Sequence, residues 1–167
     1  GNIAAVSGAN GAVLAFNPNV EGNQVLALAN RGDSLYIGGD FSKVGGQQRL
    51  CLAAVSASSG TLFGWAPLAF GLVSALLVDS SDLVVGGEFQ FIALQPRAYL
   101  AGIDRFTGVL DSGVPVVDGR VLALASIGGS YYVGGGFGTL GSGTTAYLAR
   151  MAPSDFTGPS VTVVVAN

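Results

Sequence analysis

The sequence predicts an all-β fold: β-propeller blades of four antiparallel strands, about 3.5 repeats of 48 residues, belonging to a larger propeller or assembly. Three observations predict it. The stretch Leu35-Tyr36-Ile37-Gly38-Gly39-Asp40-Phe41 returns as Leu83-Val84-Val85-Gly86-Gly87-Glu88-Phe89 and as Tyr131-Tyr132-Val133-Gly134-Gly135-Gly136-Phe137, 48 residues on each time. Self-similarity at a period of about 40–50 residues is a sign of propeller blades. Within each period, short β-rich runs alternate with Gly, Ser, Asn and Asp, the punctuation of antiparallel strands. No stretch shows helical periodicity, and the density of Gly and Pro argues against helices.

Residues 1–22 read as the second half of a blade. Ile3-Ala4-Ala5-Val6-Ser7, Gly11, Phe16 and Pro18 parallel Leu52-Ala53-Ala54-Val55-Ser56, Gly60, Trp65 and Pro67 at an offset of 49. Residues 23–71 form the first full repeat. It opens on the apolar run Val25-Leu26-Ala27-Leu28-Ala29 and turns at Asn30-Arg31-Gly32-Asp33. The double-glycine strand follows, then a polar Gly-rich loop over 43–48, a third strand over 52–55, a turn at Ser58-Ser59-Gly60 and a fourth strand over 61–65.

Residues 72–119 repeat this order. The first strand covers 73–78, Asp79-Ser80-Ser81-Asp82 turns, the third strand covers 100–103, and Thr107-Gly108 leads into Val109-Leu110. Residues 120–167 open on Val121-Leu122-Ala123-Leu124-Ala125 and keep Leu148-Ala149. Their end diverges: Asp155-Phe156-Thr157-Gly158 echoes Arg105-Phe106-Thr107-Gly108 two residues late, and 161–166 reads as a strand.

The repeated residues have a physical reading. Two glycines weaken a strand unless something needs the space, so they are expected where sheets or backbones approach closely. Phe41, Phe89 and Phe137 recur in phase and are expected to fill the space between adjacent blades. A lone four-stranded sheet cannot bury both faces, whereas radial stacking does so.

Composition excludes several function classes. Of the 167 residues, 50% are hydrophobic and only 10% charged, and the mean hydropathy is +0.57. A net charge of −3 gives no basic stripe for nucleic acid. The chain has no His, so the commonest general base and metal ligand is absent. One cysteine, Cys51, excludes an intramolecular disulfide framework. No apolar run has the length of a membrane helix. The sequence opens in mid-pattern without an initiator Met, so a processed or partial product of a longer protein is expected. No cofactor, metal site or catalytic residue is expected.

The pattern is similar to the delta-sixty-type β-propeller repeat, and also to the Kelch repeat with its double glycine and later Trp. The first unit carries the resemblance best, through Gly38, Gly39, Phe41, Gly45, Gly46, Arg49, Leu52, Ala53, Gly60 and Trp65. The second keeps Gly86, Gly87, Phe89, Arg97 and Leu100 but has Gly113 for Trp65, and the third has Thr145 for Arg49. The resemblance implies a propeller, of a kind frequent in extracellular and cell-surface proteins. It implies no catalytic site, because one fold serves many functions.

Comparison between units yields one sharper expectation. Units one and two carry an acid after the glycines, Asp40 and Glu88, and an arginine nine residues later, Arg49 and Arg97. Unit three lacks both. Joint loss suggests two structural salt bridges, Asp40–Arg49 and Glu88–Arg97, each contributing about 0–1 kcal/mol if exposed.

Other motifs resolve to structure. Gly38-Gly39-Asp40-Phe41 resembles the signature of cyclic-dinucleotide synthases, but it recurs at a fixed period and lacks the second acid. Arg31-Gly32-Asp33 matches an integrin-binding tripeptide yet occupies an ordinary hairpin turn. Asp104, Asp111 and Asp118 lack calcium-loop spacing. Cys51 stands where the other units have Tyr99 and Tyr147, a packing position, with an intermolecular disulfide the minor alternative.

Three units and a half do not fill a ring, because propellers typically have about four to eight blades. The missing strands come from a longer chain or from another copy. The expected function is a non-catalytic structural and protein-interaction propeller, secreted or at the cell surface, in a filament or sheath. Its partners are protein, either itself or the rest of a longer chain. Binding is expected on the loops between second and third strands, at Lys43, Gln47, Gln48, Phe91 and Gln95. There Phe91-Ile92-Ala93-Leu94, apolar where the first unit is polar, reads as an interface patch or equally as packing on a neighbouring blade. The alternative is a glycan-binding or glycan-processing propeller, which requires aromatics such as Trp65, Phe91 and Tyr99 to converge on one face.

Overall fold

The computed structural model describes residues 3–151. The divergent end of the last repeat, with its expected strand at 161–166, lies outside the described residues. The chain is all-β, with several antiparallel sheets and no helix among the described residues.

The first sheet joins β1 (Val20–Arg31), β2 (Ser34–Val44), β3 (Gln47–Gln48) and β4 (Leu52–Ser56), with β2 pairing all three others. β5 (Ala69–Phe70) precedes β6 (Val73–Val78), β7 (Asp82–Gly87), β8 (Phe91–Ile92), β9 (Gln95–Pro96), β10 (Leu100–Asp104) and β11 (Leu110–Asp111). Here β11-β10-β7-β6 make a four-stranded sheet and β5-β8-β9 a small three-stranded one. β12 (Arg120–Ile127), β13 (Ser130–Gly136) and β16 (Leu148–Met151) form another sheet, beside the hairpin of β14 (Thr139–Leu140) and β15 (Gly143–Thr144).

Pairing recurs at the sequence period. Val25 opposes Gly39 and Ala27 opposes Gly38 across a bulge; Val73 and Ala75 stand in the same way to Gly87 and Gly86, and Val121 and Ala123 to Gly135 and Gly134. The outermost contacts recur too, as the pairs Val6–Val13, Val55–Leu62 and Ile103–Leu110. The lead-in residues pair with the hairpin of the next unit, Ala69–Phe70 on β8 and Val117 on Leu140, so pairing crosses the 71/72 and 119/120 boundaries.

The two glycines of each pair do different work. A Cβ on Gly39, Gly87 or Gly135 would overlap the carbonyl oxygen of Gln24, Leu72 or Arg120, the backbone that the bulge pushes inward. A Cβ on Gly38 would lie 2.5 Å from Val73 Cγ1, and one on Gly86 2.5 Å from Val121 Cγ1. The second glycine thus admits its own sheet's bulge, and the first admits a valine of the next sheet.

Among the described residues the core consists of three apolar clusters, each joining one unit to its predecessor. Phe41, Ile37, Val44 and Val55 pack with Ile3 and Ala5; Phe89, Val73 and Ile103 with Leu52 and Ala54; Phe137, Val121 and Leu140 with Val84 and Leu100. The three phenylalanines are buried. Burying such a side chain stabilises by roughly 1.5–3 kcal/mol.

One local expectation is corrected. The polar loop over 43–48 is a β-hairpin, with Lys43 opposite Gln48 and Val44 opposite Gln47. The pattern of polar residues and glycines read as loop, but Val44 is buried and anchors the strand.

Candidate interaction surface

The hairpin that follows each double-glycine strand projects the expected binding residues. In the first unit its turn is Gly45-Gly46, with φ of 58° and 76°. Tight two-residue hairpin turns of this hand need positive φ at both central residues, which glycine supplies without strain. In the second unit the same turn is Ala93-Leu94, with φ of 50° and 62°. A side chain in this region costs roughly 1–2 kcal/mol. Leu94 is also 76% exposed. Strain held at an exposed apolar tip points to a functional constraint.

The cross-strand pair beneath the turn differs in chemistry from unit to unit. In the first, Glu21 opposes Lys43 and the two form an ion pair at 3.8 Å. In the second, Phe70 opposes Phe91. In the third, Asp118 accepts the backbone N–H groups of Gly138 and Thr139 at 2.8 and 3.0 Å. Phe70 (45% exposed), Phe91 (48%) and Leu94 line an open apolar cleft. A second depression on the other side of Phe91 is lined by Pro96, Ala98 and Val116. Phe91 is therefore the ridge of an apolar strip on a hairpin.

Lys43, Gln47 and Gln48 are exposed on the first hairpin, and Phe91 and Gln95 on the second. No hydrogen bond or ion pair joins the two sets among the described residues. The structure adds Phe70, which sequence reasoning missed, and sets Leu94 of the apolar stretch 91–94 at the turn. The signal was present: Leu94 stands where the first unit has Gly46, and Phe70 where it has Glu21. Leu94→Gly, which relieves the positive φ, is expected to raise stability by about 0.5–1 kcal/mol in urea unfolding. A loss of stability would show that Leu94 packs rather than strains.

The two expected salt bridges do not form. Asp40 accepts Asn23 Nδ2 at 2.6 Å, and Glu88 pairs with Arg120 of the following unit at 3.7 Å. Arg49 donates to the carbonyls of Gln48 and Phe63 at 2.8 and 3.2 Å. Arg97 donates to Leu100 and Pro115 carbonyls at 2.7 and 2.9 Å, and to that of Val114. Arg97 thus ties the third strand to the segment leading to the next unit, and Arg49 ties Gln48 of the hairpin to Phe63 beyond the third strand. Thr145, at the same place in unit three, donates to Leu148 O at 2.7 Å. Thus the replacement of arginine in unit three keeps a donor and loses no ion pair. Burial pulls the Arg97 pKa below the ordinary guanidinium value, and Asp111 pulls it back up.

The aromatics expected for glycan binding do not converge. Trp65 packs edge-on to Tyr36 at 5.3 Å and donates Nε1–H to Asp104 O at 3.2 Å. Tyr99 packs against the third cluster. Cys51, Tyr99 and Tyr147 share a positive φ of 59°, 65° and 68° and bridge the same two backbones. The Cys51 thiol is buried, and burial pushes its pKa up.

The carboxylates hold turns. Asp33 of Arg31-Gly32-Asp33 accepts Ser56 Oγ at 2.7 Å and Ser58 N at 2.9 Å. Asp104 accepts the backbone and hydroxyl of Thr107 and Phe106 N, and Asp111 accepts Gly113 N at 2.8 Å. Hydrogen bonds hold three carboxyls below the ordinary value of 3.8: from Ser56 and then Ser58 to Asp33, from Thr107 to Asp104, and from Thr139 and then Gly138 to Asp118. A depressed folded pKa gives stability that is present above the unfolded value and is lost as pH falls through the folded one. Stability is therefore expected to fall below about pH 4. The triple variant Asp33→Asn, Asp104→Asn, Asp118→Asn should flatten that fall in acid unfolding; an unchanged profile would contradict the assignment.

No helix among the described residues is long and apolar enough to cross a membrane. No group of His, Cys, Asp and Glu able to hold a metal occurs among the described residues. No protein-family model matches the chain, and no curated protein matches it significantly.

Proposed function

We propose that the chain is a non-catalytic structural and protein-interaction segment of a β-propeller, its sheets serving as blades of a secreted or cell-surface protein that assembles into a filament or sheath. The observation that carries this reading is the Phe70–Phe91–Leu94 strip. It is apolar, exposed and set on a hairpin whose turn is strained, where the equivalent hairpin is charged and relaxed. A surface of this kind fits a protein partner better than a soluble small molecule. The carboxylates support the reading, since Asp104 and Asp111 are bonded to their own turns, Asp33 to Ser56 and Ser58, and Asp118 to the backbone of Gly138 and Thr139. The glycan alternative loses support because Trp65 and Tyr99 lie in packing positions.

A photo-crosslinking side chain at position 91, with position 43 as the control, tests the reading in the native particle. A protein adduct at 91 and none at 43 is expected. Adducts at neither position, together with binding of free oligosaccharide, would contradict it.

A further inference from the structure

The depression on the far side of the Phe91 ridge has a cation in its wall. Phe91, Pro96, Ala98 and Val116 make it apolar, and Arg97 and Gln90 complete its lining. Described strands bound it on both sides. Phe91 and Pro96 belong to β8 and β9, and Val116 O accepts Gly141 N–H at 2.7 Å beside the bridge from Val117 to Leu140. The cleft therefore belongs to the junction of the second and third units, inside the described chain.

Arg97 stands in this wall with part of its donor set spent. Its Nε–H goes to Leu100 O, and Nη2 donates to the carbonyls of Val114 and Pro115. A guanidinium has five N–H donors, so the two on Nη1 remain. No hydrogen bond or ion pair takes them among the described residues. Asp111 is near enough to pull the Arg97 pKa up, but it forms no ion pair with Arg97 and accepts Gly113 N instead. A half-buried cation without a carboxylate partner favours an arriving anion.

The units differ at this place. Where the second has Ala98 the first has Leu50, and there the arginine, Arg49, is only 8% exposed. The third has the small Ala146, but Thr145 in place of the cation. Of the three units, the second alone sets a small residue beside an arginine, and it also has Phe91 where the first has Lys43.

We infer that this cleft takes a carboxylate of a protein partner flanked by an apolar side chain, the carboxylate on Arg97 Nη1 and the apolar group against Phe91 and Val116. This rests on the protein-interaction reading above and names the partner's chemistry. Charge complementarity sets the sign and size of the charge. One cation with two donors matches a monoanion, whereas a phosphate group carries about −1.5 to −2 and no second Lys or Arg lines the cleft. The depression is open, and its volume of about 390 Å³ lies at the low end of the roughly 300–1,000 Å³ of pockets that enclose a small molecule. It suits side chains presented on a partner's own fold.

Nuclear magnetic resonance titration of the full chain with the carboxylate of N-acetyl-leucine, and with neutral N-acetyl-leucinamide, tests the proposal. The carboxylate should shift the Ala98 and Val116 amides and the Arg97 side chain saturably. The amide should bind about tenfold more weakly or less, since hydrogen bonds to charged groups are the stronger ones. Ala98→Leu, which copies Leu50, should abolish the shifts and leave urea unfolding unchanged. Its backbone is compatible, because Leu100 N bonds to Ala98 O as Leu52 N does to Leu50 O, both at 2.7 Å. That variant leaves the carbonyl bonds of Arg97 in place, so loss of binding is not loss of fold. Equal binding of the amide, no saturable shift by the carboxylate, or shifts that survive Ala98→Leu would overturn the proposal. So would glucuronate binding more tightly than N-acetyl-leucine, which would assign the cleft to an acidic sugar. A protein adduct at position 91 alongside a failed titration would remove the Arg97 contact alone and leave the interaction reading standing.

Discussion

Gly87→Ala is expected to destabilise the chain by about 3 kcal/mol, at the upper end of overpacking costs. The added Cβ would overlap Leu72 O, with Val73 Cα at 3.0 Å. Both are backbone atoms, held by the ladder between β6 and β7, and neither can rotate aside. Relief requires the bulge between Val73 and Ala75 to move, which breaks the pairing on either side. Gly86→Ala should cost less, because its Cβ meets the side chain of Val121. Urea unfolding of the two variants checks the order. A change below about 1 kcal/mol for Gly87→Ala would mean that the bulge adapts freely.

Arg97→Met should cost about 3 kcal/mol, through carbonyls left without a donor inside the fold. The guanidinium reaches Leu100, Val114 and Pro115 at once, joining β10 to the chain that leads into the next unit. Lysine keeps the charge but not the planar fork, so Arg97→Lys should fall between wild type and Arg97→Met. If the ion pair expected from the sequence were the true role, Glu88→Gln would cost as much as Arg97→Met. The geometry predicts instead that Glu88→Gln costs little, because Glu88 meets only the half-exposed Arg120. Thermal unfolding of the three variants separates the two accounts.

Much of the strand order was legible because it rests on local chemistry. Positions of Gly, Ser, Asn and Asp marked the hairpins, and the period placed the double-glycine strand. The third strand, expected over 52–55, is Leu52–Ser56. The glycines were read correctly as sites of close approach, but only coordinates separate the two roles of Gly86 and Gly87, since bulges leave no residue signature here. The hairpin over 43–48 was missed because three polar residues and two glycines look like loop, and its strand character comes from the single buried Val44.

The arginine pairing was misread for a different reason. Two residues that vanish together need not touch: Asp40 bonds to Asn23 of its own first strand and Glu88 to Arg120 of the following unit, while Arg49 and Arg97 donate to backbone carbonyls. The interaction surface was half legible. Phe91 stood out as apolar in a polar context, but Phe70 is remote in sequence and joins it only through the β5–β8 ladder. Leu94 was legible as the end of the apolar stretch 91–94, and its positive φ could have been found by asking why Gly46 has no counterpart.

A double-mutant cycle between Gly86 and Val121 tests most directly whether successive sheets stack through the first glycine of each pair. Gly86→Ala and Val121→Ala are each expected to destabilise the chain in urea, one by crowding and the other by a cavity. Together they should cost less than their sum by about 1 kcal/mol or more, because truncating Val121 makes room for the new methyl. Strictly additive costs would mean that Val121 does not sit in the space Gly86 leaves, and would contradict the stacking of successive sheets.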